Sequence, residues 1–159
     1  MLAILLNAIE RYGLPHWKDA FLGLEKPSLR IATHLVAEEP TLGSSKIGGL
    51  PDLPLQISWP KNTQRSLSFI AQLNMRDIHH QMPTIAMPET GMLYFFYETV
   101  DLPYEHESNG VKNWQVLYHT NTDTIRRSPV SADLINDPDY FSLLDPAIVT
   151  SAPERASPG

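Results

Sequence analysis

The stretch "SSKIGGLPDLPLQISWP", Ser44 to Pro60, constrains the fold more than any other part of the chain. It holds two glycines, three prolines and a tryptophan. Proline fixes its own φ and pushes the preceding residue toward extended backbone. Leu50-Pro51, Leu53-Pro54 and Trp59-Pro60 therefore write a stiff, irregular, extended path with few free backbone donors. Gly48-Gly49 reaches positive φ without penalty and supplies a turn that other residues would strain. Leu50, Leu53, Leu55, Ile57 and Trp59 can still bury side chains along the path. Two readings follow: a long connection pinned across a sheet edge, or a pre-ordered wall of a ligand or partner cleft with Trp59 as an aromatic anchor. In the second, Lys46, Gly48, Gly49, Pro51 and Trp59 are the candidate partner-binding residues.

A phosphate-binding reading of "GSSKIGG" fails on spacing. Successive backbone amides can cradle an anion, but a Walker loop needs its lysine after the glycines and a helix behind it. Here Lys46 precedes Gly48, and prolines occupy the place where the helix would start.

Around this segment the apolar period changes once. Leu2, Leu5, Leu6 and Ile9 recur at helical spacing, with Gly13 placed as a C-cap. Pro15 can open a second short helix, whose stripe of Trp17, Phe21 and Leu24 reads as a core face. From Leu29 the period is two, and Leu29–Leu35 is expected to be a half-buried strand. Leu67–Leu73, Gly91–Glu98 and Trp114–Thr120 are further strands, the second apolar on both faces and so expected to be central and covered on both sides. Asn74 is positioned to cap a short helix. Helices first and strands later predict an α+β fold, with N-terminal helices packed on a largely antiparallel sheet. Leu67, Phe69, Leu93, Phe95 and Trp114 are the expected buried positions. After about Thr120 no sustained period remains; residues 1–150 read as a single domain and 151–159 as a disordered tail.

Composition removes several functions. A chain of 159 residues with 42% hydrophobic and 19% charged side chains can build one core. Its net charge is −6, and its densest basic cluster is Arg126-Arg127, so no nucleic-acid partner is expected. There is no cysteine, which eliminates disulfides, thiol nucleophiles and thiolate metal sites and suits a reducing, cytoplasmic setting. The apolar start lacks a basic leader, and no run reaches the roughly 20 residues of a membrane span, so no membrane partner is expected.

The order S-K-x-G-G-x-P-x-L-P, then W-P, then F-x-A-Q-[IL]-N, then P-x-x-G-x-L-x-F-F-Y resembles the YwqG-like family of bacterial proteins, a domain of unknown function. "NWQVLYH" extends the likeness, which covers roughly Ser44 to Tyr118. Two departures stand out: "LQIS" precedes the W-P pair where many members have a glycine, and members usually carry more sheet-forming sequence at the C-terminal end. The resemblance implies a mixed α+β fold and a short or truncated variant. It brings no catalytic residue with it.

Residue chemistry alone names no reaction. Three or four ligands must converge for a metal site, and the six histidines, His16, His34, His79, His80, His106 and His119, are scattered. Side chains of the adjacent His79 and His80 diverge in regular structure. Glu105, His106 and Glu107 lack the H-E-x-x-H spacing. Asp77, Glu98, Asp101 and Asp123 are acid/base candidates by residue type only. No G-x-S-x-G marks a serine hydrolase. Neither metal nor cofactor is expected. Gln72, inside an apolar strand, must satisfy its amide there, and the irregular "GGLPDLP" backbone is the expected partner.

The missing signatures favour a non-catalytic module that binds another protein. The stiff loop with Trp59 and the set Tyr94, Phe95, Phe96, Tyr97 and Tyr104 supply its aromatic anchors. The acidic net charge favours a basic partner, in the manner of small immunity proteins. The alternative is a small hydrolase or metal-dependent enzyme using Glu98, His106 or His119 near the loop. Oligomeric state is not readable.

Overall fold

Two apolar runs of period two pair with each other and seed the sheet. The computed structural model describes residues 2–23, 29–84, 86–99, 107–108, 111–136 and 146–153. Along the chain lie α1 (Leu2–Arg11), a 3-10 turn (Pro15–Trp17), α2 (Lys18–Gly23), β1 (Leu29–Leu35), β2 (Lys46–Ile47), β3 (Asp52–Pro54) and β4 (Ser68–Asn74). There follow α3 (Met75–Gln81), β5 (Met92–Tyr97), β6 (Glu107–Ser108), β7 (Val111–Lys112), β8 (Trp114–His119), β9 (Ile125–Arg127), α4 (Ala132–Ile135) and β10 (Ala147–Pro153). Six strands form an antiparallel sheet in the order β1-β10-β2-β4-β5-β8, while β3 pairs with β9 and β6 with β7. The fold is α+β with a mostly antiparallel sheet, as the sequence predicts.

β4 is irregular, and the irregularity matters. Its register against β5 runs Ser68↔Tyr97 and Phe69↔Phe96, then resumes at Ala71↔Phe95 and Gln72↔Tyr94. The extra residue, Ile70, is a β-bulge. Strict alternation would put Phe69 and Gln72 on opposite faces. The bulge turns both toward the same face, as an inserted residue must.

That face carries the core. Leu53, Leu67, Phe69, Met92, Tyr94 and Phe96 form one buried cluster, with Trp59 and Leu117 packed at its margin. The stiff segment supplies Leu53 and Trp59, so it is a covering layer of the core, not a surface flap. The Trp59 ring meets Phe96 edge-on at 5.7 Å, and its indole N–H donates to the Leu67 carbonyl at 2.7 Å.

Several expectations on burial need correction. Leu67 and Phe69 are buried as expected, but in β5 the buried residues are Met92, Tyr94 and Phe96, with Leu93, Phe95 and Tyr97 only half-buried. β5 is internal to the sheet, yet only one of its faces is fully covered. Trp114 is 47% exposed because β8 is an edge strand and Trp114 stands on the less covered face, opposite Tyr97. β1 is an edge strand too and is exposed along most of its length, with Leu35 at 78%. Trp17, at the end of the 3-10 turn, and Phe21, in α2, are exposed, so the stripe is not a core face; Leu24 lies outside the described residues. α1 buries Ile9 and ends as expected at Gly13, where Gly13 N–H bonds Glu10 O and Leu14 N–H bonds Ile9 O.

The stretch after Thr120 contributes more than its pattern suggests. β10 inserts between β1 and β2 and extends to Pro153, three residues into the segment read as tail; residues 154–159 lie outside the described residues. Asn74 caps α3 as expected, its Oδ1 accepting from Arg76 N–H at 3.1 Å. Among the described residues no helix is long and apolar enough to cross a membrane.

Candidate functional site

Two regions have functional potential: a buried ionic network under the glycine turn and the edge of β8 that no strand covers among the described residues. The network is built by the bulge in β4. Once aimed at the core face, Gln72 accepts the Asp52 N–H at Oε1 (2.8 Å) and donates from Nε2 to Asp52 Oδ2 and Ser44 O, both at 2.8 Å. The displaced bulge carbonyl, Ile70 O, accepts the Gly48 N–H at 2.9 Å. Gly48 and Gly49 sit at φ 71° and 65°, the left-handed region that glycine enters freely. The loop and the bulge therefore specify one another.

Asp52 is the hub. Its Oδ1 takes Arg127 Nε at 2.6 Å and Lys46 Nζ at 3.5 Å, and its Oδ2 also accepts Gly43 N–H at 2.9 Å. Tyr94 Oη donates to the Asp52 carbonyl at 2.7 Å. Glu39 closes the ring: Oε2 lies 3.2 Å from both Lys46 Nζ and Arg127 Nη1, and Oε1 accepts Leu50 N–H at 2.8 Å. Arg127 Nη2 donates to Pro40 O at 2.6 Å. Burial lowers the Lys46 ammonium from its ordinary range, with Arg127 adding to the effect, although Asp52 and Glu39 push it back up. Burial, aided by the Asp52 charge, raises the Tyr94 phenol well above its usual value.

Lys46 and Asp52 are fully buried, and two cations face two carboxylates, each engaged with another member of the ring. The network joins segments far apart in the chain and holds the glycine turn.

The expected partner-binding residues divide accordingly. Lys46, Gly48 and Pro51 are buried; Gly49 is half-buried against Glu39, where an added Cβ would meet Oε1 at 2.5 Å. Trp59 is half-buried and hydrogen-bonded. Of the other candidates from the sequence, Asp101, Tyr104 and Glu105 lie outside the described residues. Glu98 is buried and ion-paired with Arg65 at 3.7 Å; His119 Nε2 meets Gln56 Nε2 at 3.1 Å; His106 lies outside the described residues. Among the described residues no three His, Asp or Glu side chains converge as a metal would require.

The network members that sequence reasoning missed are Glu39, Asp52 and Arg127. Asp52 gives a signal, a carboxylate within an apolar run. Glu39 and Arg127 lie in unpatterned stretches, and only the fold brings them near.

The second region is a surface. On β8, Trp114, Val116 and Tyr118 share one face and are 47%, 45% and 43% exposed. They stand opposite Tyr97, Phe95 and Leu93, so half-buried apolar side chains on β5 extend the row inward. Beside this strand lies a cleft of about 300 Å³, lined by Lys61, Leu67, Lys112, Trp114, Gln115 and Val116.

Comparison with known families gives one match. The family described as a domain of unknown function (DUF1963) matches residues 45–154, from the start of the glycine turn through β10. No curated protein matches the chain.

Proposed function

The chain belongs to the YwqG-like family, a domain of unknown function, so its role rests on its own surface, and we propose that it is a non-catalytic protein-binding module. One observation carries this reading: an edge strand that presents a row of three large apolar side chains, Trp114, Val116 and Tyr118, to solvent. Aromatic side chains on pre-ordered backbone bind with little entropy loss and dominate interface energetics. The strongest concentration of charge, around Asp52, supports the same view, because its members are spent on one another. This reading puts the contact on β8 instead of the glycine turn, because most of the contact residues expected on that turn face inward. A cytoplasmic setting fits the absence of cysteine.

The test is a photo-crosslinking side chain placed at Val116 in cells that produce the protein, with exposed Lys18 on α2 as the control position. A discrete protein adduct at Val116 only, reproduced with that protein purified, is the expected result. Adducts at neither position, or equally at both, would remove the reading.

A further inference from the structure

We propose, building on that reading, that β8 takes up an extended peptide segment by strand addition, and that the segment alternates acidic and apolar side chains. The backbone argument comes first. Glu98 N–H donates to Asn113 O at 2.7 Å, which makes Glu98 and Asn113 a hydrogen-bonded pair at the start of the β5–β8 ladder. In an antiparallel ladder such pairs recur every second residue. The register places the following ones at Phe96/Gln115, Tyr94/Leu117 and Met92/His119. The N–H and C=O groups of Trp114, Val116 and Tyr118 therefore point away from β5, toward the free edge. An edge with outward donors and acceptors is a template for another strand.

Side chains choose the strand. An added strand continues the two faces of the sheet, with its residues alternating between them. On one face its side chains meet Trp114, Val116 and Tyr118, which favours apolar residues. On the other they meet Gln115, which shares with Trp114 and Val116 the cleft at this edge, where Lys61 and Lys112 are the charged lining residues. Among the described residues neither lysine has an ion-pair partner, and no carboxylate lines the cleft. Carboxylates on alternate positions match that rim.

Local charge outweighs the overall −6. Exposed charges more than about 8 Å apart are largely screened at physiological salt, whereas the two lysines would contact the ligand directly. The same lysines argue against a second copy of β8 as occupant, since "WQVLYH" offers no carboxylate to meet them. Peptide-recognising domains that add a strand gain affinity from main-chain bonds and specificity from alternate side chains, which is the division of labour here.

The experiment titrates the full chain with fluorescent short peptides: one alternating Glu and Val, one alternating Lys and Val, and the Glu-Val peptide N-methylated on alternate amides. The Glu-Val peptide is expected to bind. N-methylation should weaken binding at least ~10-fold, by removing strand pairing without touching the protein. Lys61→Glu with Lys112→Glu should weaken the Glu-Val peptide by a similar factor and favour the Lys-Val peptide. Equal binding of both charge types, indifference to N-methylation, or a dimer through β8 in sedimentation would overturn the proposal. Absence of peptide binding together with a discrete crosslink at Val116 would sink strand addition and leave the binding module standing; absence of both would end both.

Discussion

Gln72 holds Asp52 at two points at once, accepting its backbone N–H and donating to its carboxylate, each at 2.8 Å. Both side chains are fully buried. One amide thereby fixes the backbone of the stiff segment and orients the carboxylate that gathers Lys46 and Arg127. The bulge at Ile70 is what brings Gln72 to that position, so a register defect in one strand underwrites the conformation of a loop 20 residues away.

Gln72→Leu keeps most of the volume and removes three hydrogen bonds. Asp52 N–H and Ser44 O would then lack their side-chain partner inside the core. Each buried orphan costs about 1–3 kcal/mol, so the variant should lose about 3 kcal/mol or more. Urea denaturation measures it, as a lower midpoint with an unchanged slope. A loss under about 1 kcal/mol would show that the amide does not hold the loop.

Gly49→Ala and Gly13→Ala compare two glycines at nearly the same φ, 65° and 66°. Strain from an L residue in this region is about 1–2 kcal/mol in both. They differ in surroundings: a Cβ at Gly13 meets nothing within 4 Å, whereas at Gly49 it reaches Glu39 Oε1 at 2.5 Å. Moving Glu39 disturbs its bonds to Leu50, Lys46 and Arg127. Gly49→Ala should therefore unfold at the lower denaturant concentration by a clear margin. Equal midpoints would mean that Glu39 yields at no cost.

Local signals in the sequence are legible where one residue carries its own physics. Gly48-Gly49 needs positive φ, Asn74 caps a helix, and Gln72 must satisfy an amide; all three appear as expected. Burial is not legible where it depends on neighbours in space. Trp114 looks like core by residue type, and nothing within "NWQVLYH" reveals that its strand lies at the sheet edge. β10 is hidden in the sequence because "AIVTSAP" follows an unpatterned stretch, although pairing with β1 and β2 on its two sides makes it internal. Arg127 joins Asp52 across 75 positions, which no periodicity within a window can show.

Lys46→Met tests whether the ionic ring acts as a unit. Removing one partner of a buried ion pair costs about 3–5 kcal/mol because the remaining charge stays desolvated. Arg127 still neutralises part of the ring, so the expected loss is at the low end, about 3 kcal/mol. Glu39→Gln should then cost less in the Lys46→Met background than in the wild type, because the lysine it serves is gone. A double-mutant cycle in urea reads that coupling. Strict additivity would mean that Lys46 and Glu39 are neighbours without energetic linkage.

Asp133 gives the fold an acid-sensitive clasp between α4 and the segment before β4. Its Oδ2 accepts Ser66 N–H at 2.8 Å, and its Oδ1 accepts the hydroxyls of Ser66, at 2.8 Å, and Ser131. Burial pushes the carboxyl up, but the hydrogen bonds from Ser131 and from the Ser66 amide and hydroxyl outweigh it and hold the group well below the usual carboxylate range. The unfolded chain, with an ordinary Asp near about 3.9, takes up this proton first as pH falls. The contribution of Asp133 is therefore fully present above about pH 4 and disappears as pH drops through the lower folded value. Exposure of the residue makes the effect modest. Urea midpoints of wild type and Asp133→Asn should differ by a constant amount from about pH 7 to 5 and draw steadily closer as pH falls from about 4 to 2, since protonation then removes from the wild type what the substitution already lacks. A difference that stays constant down to about pH 2 would assign the loss to altered packing by Asn and not to the charge.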